Sequence, residues 1–181
     1  MSDTNIAGRA DSEILPVLGR AFVASIVANL PMFALLLVPQ LMRSRAGSET
    51  LLAIGTLLYL ALITVALLIT PRVTARVAPN EGWSPSTANA TVHRVFRTQP
   101  RAFWQRVGEW FVLFALAQGA GLLVAWFLPY VSDNPGFGIP GQSRWVIDYS
   151  NYFIQAVTVY LVSCFSFAWL GARLRDLAAR V

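Results

Sequence analysis

Residue types that ordinarily carry catalysis or hold metals are scarce in this sequence. It has one histidine, His93, and one cysteine, Cys164. A structural zinc site takes about four Cys or His ligands, which these two cannot supply. A haem held between two histidines of one chain is excluded on the same count. No pair of carboxylates, glycine-rich phosphate loop or nucleophile–base pair falls at a useful spacing. The long apolar stretches contain no carboxylate that could relay protons or pair a cation. A single cysteine rules out a disulfide within the chain, and Cys164, between Ser163 and Phe165, fits a small buried residue. No cofactor or metal is expected, and no residue is nominated as catalytic.

The remaining polar chemistry lies inside apolar stretches. Ser25 and Asn29 are four apart, hence on one face of a helix. Thr56, Tyr59 and Thr64 follow in a second stretch, Gln118 in a third, and Gln155, Thr158, Ser163 and Ser166 in a fourth. Asn29, Gln118, Gln155 and Thr158 make up the candidate polar cluster. Such groups either bond helices together, at ~0.6 to ~2 kcal/mol each, or line a path for a substrate or ion. Helix bonding is the expected use. The segment "ALAQGAGLL" spaces Ala115 and Gly119, and likewise Ala117 and Gly121, four apart. Small residues so spaced permit close helix approach, which makes Ala115, Gly119 and Gly121 candidate packing positions.

One basic segment stands out. "HRVFRTQPRAFWQR", residues 93–106, carries Arg94, Arg97, Arg101 and Arg106 with three aromatic rings and no acid. Basic residues beside an anionic leaflet each contribute about 1 kcal/mol of attraction. These four arginines are the candidate contacts for anionic lipid or a partner. Pro100 suits the first turn of a helix, and Thr98 or Gln99 could cap it. Arg106 and Glu109, three apart, are placed to pair. Phe103, Trp104 and Trp110 are expected at headgroup depth.

The elements that must position these residues follow from hydropathy. Of 181 residues, 56% are hydrophobic and 13% charged, against ~25% charged in a soluble domain. Four uncharged blocks, approximately 22–42, 51–71, 110–131 and 152–172, are each long enough for a spanning helix, which needs about 20 apolar residues. Backbone groups in lipid must be paired within the segment, so each block is predicted helical. The expected fold is all-α: an integral membrane four-helix bundle in a single domain, 1–181. A soluble protein with four buried helices would not keep four such blocks free of charge in so short a chain. A cleaved leader fits the first block poorly, because its flank holds Asp3, Asp11 and Glu13 and no small-residue cleavage site follows. Before that block the chain reads as a short, mostly polar tail, whose last part, Ile14, Leu15, Val17 and Leu18, is expected as a surface helix or an extension of the first span, with Pro16 in an early turn.

All 14 basic residues are arginine. With both termini and loop 72–109 inside, eleven lie inside and three, Arg43, Arg45 and Arg144, outside. This positive-inside bias predicts a multi-pass protein of the cell membrane with cytoplasmic N and C termini, its inner face against anionic headgroups. A nucleic-acid arm would also be basic and aromatic, but its charge would not track a topology rule, and no nucleic-acid partner is expected. The outer loop, rich in Gly and Pro, is expected to turn, with Ile139, Trp145, Val146 and Ile147 along the interface. Asn89-Ala-Thr91 matches a glycosylation acceptor by chance, since it lies in the inner loop.

A partial repeat aligns Gly19–Asn29 with Gly108–Gln118, so that Asn29 and Gln118 coincide. It allows the bundle to be two tandem helical hairpins. Two functions of different class fit the sequence best, ahead of a membrane enzyme whose arginine-rich inner loops would hold phosphate groups. One is a non-catalytic accessory, assembly or regulatory subunit, meeting other membrane subunits or itself. The other is a homo-oligomeric pore or a small-molecule or lipid carrier lined by the amides and hydroxyls.

The topology is open to test. With Cys164 replaced, a cysteine at Thr91 should be shielded from an impermeant thiol reagent in intact cells, and one at Gly138 should label. The reverse pattern would overturn the orientation.

Overall fold

The computed structural model describes residues 4–43 and 45–180. Residues 1–3 lie outside them, and the N-terminal stretch from Thr4 onward, expected as a mostly polar tail, is helical. About three quarters of the chain is helical, in seven helices among the described residues. In chain order they are α1 (Thr4–Ala28), α2 (Leu30–Leu36), α3 (Pro39–Met42), α4 (Glu49–Val77), α5 (Ala88–Thr98), α6 (Pro100–Phe127) and α7 (Tyr149–Ala178). Two strands, β1 (Val131–Asp133) and β2 (Trp145–Ile147), lie between α6 and α7.

Helices α4, α6 and α7 are each long and apolar enough to cross a membrane. They coincide with the second, third and fourth apolar blocks and overrun them at both ends or one. The first block behaves differently. It was expected as one continuous helix, but α1 stops at Ala28 and the chain resumes as α2, bent by 58°. Pro31 accounts for the break. It has no N–H for the Val27 carbonyl, and its ring clashes with that carbonyl in a continuous helix. In α2 it occupies the first turn, where no donor is needed. Pro39 opens α3 in the same way, with Val38 held extended before it. Upstream, α1 runs through Pro16, so residues 14–18 do extend the first helix.

The long loops also contain more structure than their composition suggests. The expected inner loop holds α5, whose Ala88, Thr91 and Val95 form one buried stripe. The helix ends at Thr98, and Pro100 opens α6 as anticipated. The outer loop holds an antiparallel ladder that pairs Val131 with Ile147 and Asp133 with Trp145. Gly138 and Gly141, at φ of 110° and 85°, turn the chain between the strands.

The chain divides into two compact units. Unit 1 comprises the residues up to Asn29, Val65–Phe114 and those from Ser163 onward. Its core packs Val17, Leu18 and Ala21 of α1 with Ala78 and with Ala168 and Ala172 of α7. Trp110 is buried and stacks on Phe114 with centroids 5.4 Å apart. Gly171 lets α7 meet α4 closely, since a Cβ there would overlap Thr74 Oγ1 and lie 3.2 Å from Thr70 Cγ2.

Unit 2 comprises Leu30–Thr64 and Ala115–Val162. Phe33 of α2 stacks on Tyr160 of α7 at 4.7 Å. The Tyr152 hydroxyl donates to the Leu36 carbonyl at 2.7 Å, which satisfies an acceptor at the end of α2. Gly121 of α6 is buried against Val159, and Gly55 of α4 lies against the Leu41 carbonyl.

Two glycines give contrasting predictions. Gly55→Ala drives a methyl into the Leu41 backbone and should destabilise by about 1–3 kcal/mol. Gly119 has nothing within 4 Å of a Cβ position, so Gly119→Ala should be neutral or stabilise by up to about 1 kcal/mol. Thermal or chemical unfolding in detergent measures both.

Candidate functional site

Each member of the candidate polar cluster has its own partner. Asn29, buried at the end of α1, donates Nδ2 to the Ser25 carbonyl at 2.9 Å and to Ser25 Oγ at 3.0 Å. Its side chain thus stays on its own helix, where Pro31 breaks the ladder. Gln118 donates Nε2 to the Tyr59 hydroxyl at 3.2 Å, linking α6 to α4. Gln155, 2% exposed, donates Nε2 to the Gly121 carbonyl at 3.0 Å, linking α7 to α6. Thr158 turns back to the Ile154 carbonyl at 2.9 Å. Gln118, Gln155 and Thr158 belong to unit 2 and Asn29 to unit 1. The repeat made Asn29 and Gln118 equivalent, yet the helix breaks at Asn29 and runs straight through Gln118.

Other hydroxyls in the apolar helices behave like Thr158. Thr56, Thr64 and Thr70 each bond the carbonyl four residues earlier, at 2.7–2.9 Å. Ser166 bonds the Ser163 carbonyl, and the Cys164 thiol lies 3.7 Å from the Ser25 carbonyl. Two buried oxygens, Gln155 Oε1 and Ser163 Oγ, have no hydrogen-bond partner in the structure. The cavity beside Ser25, Asn29, Thr70 and Thr74 measures only about 10 Å³, room for a single water at most.

The small residues of α6 divide between two faces. Ala117 and Gly121 are buried, whereas Ala115 and Gly119 are exposed.

On the basic segment, Arg94, Arg97 and Arg101 are exposed and Arg106 is half-buried. Arg106 pairs with Glu109 as their spacing predicted. Glu109 does more than the sequence suggested: its second oxygen accepts from Trp169 Nε1 at 3.2 Å and Arg173 Nε at 3.4 Å. One carboxylate thereby ties α6 to α7. Phe96, Phe103 and Trp104 meet edge to face at 5.3–6.3 Å around the α5–α6 corner. They line an apolar groove of about 440 Å³ in unit 1, closed by Leu67, Pro71 and Leu174, with His93 and Asn89 on its α5 wall. No group of three or more His, Cys, Asp or Glu that could hold a metal is found among the described residues.

Sequence spacing missed Tyr59, Tyr152 and Glu109 as partners. Tyr59 lies 59 residues from Gln118 and Tyr152 lies 116 from Leu36, so no local pattern relates them. Glu109 was visible only as the neighbour of Arg106.

Three apolar helices of spanning length are compatible with a multi-pass helical membrane protein. Compared with known proteins, the chain matches no protein-family model, and no curated protein or solved structure is significantly similar to it.

A double-mutant cycle tests the α4–α6 link. Tyr59→Phe and Gln118→Leu should show a coupling of about 0.6 kcal/mol, and no more than ~1.7 kcal/mol, in unfolding measurements. Additive effects would mean that the bond contributes nothing.

Proposed function

We propose that this chain is a non-catalytic membrane subunit, an accessory, assembly or regulatory component of a larger membrane complex, embedded in the cell membrane with both termini cytoplasmic. The observation that carries this reading is how the apolar helices use their polar groups. Nearly every amide and hydroxyl named above is engaged within the chain, and the cavity at Asn29 is too small for a substrate. These groups act as bonds between or within helices and not as the lining of a path.

The outward faces point the same way. The apolar window of α7 is 56% buried, but those of α4 and α6 are 11% and 17% buried. Leu57, Leu68, Leu122 and Trp126 stand largely uncovered. Such surface needs lipid or the helices of other subunits to cover it. Beside it, Ala115 and Gly119 leave room for another helix to approach α6. Arg94, Arg97 and Arg101 extend the contact to anionic headgroups at the inner face.

Purification in mild detergent should bring down other membrane proteins in fixed stoichiometry. A lone homo-oligomer would instead favour the pore or carrier. Gln118→Leu separates the two readings further. On the subunit reading, activity in whatever assay a gene deletion provides should follow protein abundance. A folded, abundant and inactive Gln118→Leu would sink that reading.

A further inference from the structure

Arg43, Arg45 and Arg144 are the three arginines that the positive-inside count leaves on the far side, and all three lie in unit 2, where Arg45 shares a pocket with Arg43 and an indole with Arg144. Arg43 Cζ lies 5.7 Å from the Tyr130 ring centroid and 6.0 Å from that of Tyr152. Arg45 and Arg144 share one indole: each Cζ is 4.9 Å from the Trp145 centroid. Arg144 is also 6.0 Å from Phe137. We propose that Arg43, Arg45 and Arg144 form a binding site for a phosphate group, carried on a lipid headgroup or present as a free anion.

The donor inventory supports an anion. A guanidinium stacked on a ring uses its face and keeps its in-plane N–H donors available. Arg43 Nη1 donates to the Met42 carbonyl at 3.2 Å, and its Nε is buried with no partner. Arg45 and Arg144 make no side-chain hydrogen bond among the described residues. None of the three joins an ion pair among the described residues. Acids are present in the same segments, namely Glu49, Asp133 and Asp148. Asp148 is already occupied, its Oδ1 accepting from the Ser150 and Asn151 amides. Two like charges beside one indole lie within about 10 Å of each other, about one screening length at ~0.1 M salt. An anion between them would relieve that repulsion.

There is room for one, and a scaffold to hold it. Arg43 and Arg45 line a pocket of about 260 Å³ with Ala125, Pro129, Tyr130 and Val131. The β1–β2 ladder fixes Trp145 opposite Asp133. The Asn134 amide donates to the Arg144 carbonyl at 2.9 Å, the Asp148 amide to the Tyr130 carbonyl at 2.8 Å, and Asn151 Nδ2 to the Pro129 carbonyl at 2.9 Å. The Arg144 stem therefore leaves a backbone that these hydrogen bonds hold. Forked guanidinium donors match the paired oxygens of a phosphate. Tyr and Trp rings around them are the residue types that favour headgroup depth in a membrane.

The test uses the full-length protein in detergent, titrated with phosphatidylglycerol or inorganic phosphate and read by native mass spectrometry. An Arg94→Gln/Arg97→Gln/Arg101→Gln background removes the other basic segment. In that background, adding Arg45→Gln/Arg144→Gln should weaken phosphatidylglycerol binding by about tenfold, equivalent to about 1.4 kcal/mol. Lipid that inorganic phosphate displaces assigns the site to phosphate in general. Lipid that resists displacement assigns it to a headgroup. Unfolding temperature checks that the variants fold, and the single Arg144→Gln, at an exposed position whose side chain makes no hydrogen bond among the described residues, serves if the combined variant does not. Affinities for both probes that are unchanged by the arginine substitutions overturn the proposal.

Discussion

Small side chains along α7 set how closely the other helices can approach it. Ser163, Cys164, Ser166, Ala168, Gly171 and Ala172 are all buried. Where lipid surrounds a protein, apolar burial gives little net drive for helix association, and close packing with hydrogen bonds supplies it. In unit 1 this lets Thr70 and Thr74 of α4 reach Gly171, and Ser25 of α1 reach Cys164. Larger aromatic side chains then fill the remaining space, with Trp110 and Phe114 against Phe167. In unit 2 the same role passes to Gly121, which admits Val159 and offers its carbonyl to Gln155.

The helical class and three of the apolar helices were legible because composition alone decides them. In lipid, a block of about 20 uncharged residues can satisfy its backbone only as a helix or a closed barrel, and four such blocks are too few and too long for a barrel. The same measure is blind to a break within a block. Phe22–Met42 is uncharged throughout, yet Pro31 and Pro39 divide it, and those two residues were the available signal. α5 was hidden for the opposite reason. Its mean polarity resembles a loop, and only the Ala88, Thr91, Val95 spacing marks a buried face. The three-residue strands are too short for alternation to show.

The polar positions were legible as a set but not as an arrangement. Spacing finds pairs on one helix, such as Asn29 with Ser25 or Arg106 with Glu109, and the structure contains both bonds. Pairs between helices depend on which turns face each other, and that is fixed by packing. Gln118 with Tyr59 and Glu109 with Trp169 and Arg173 are of this kind.

α7 follows α1, α4 and α6 in chain order. Chains are made and begin to fold from the N-terminus, at roughly 5–20 residues per second. The small-residue surface that organises unit 1 is therefore the last of these helices to leave the ribosome. Until then Thr70, Thr74 and Trp110 lack their α7 neighbours, and helix-by-helix maturation cannot complete. A chain that ends before Ser163 lacks the small residues and the Phe167 ring against which Thr74 and Trp110 pack in unit 1.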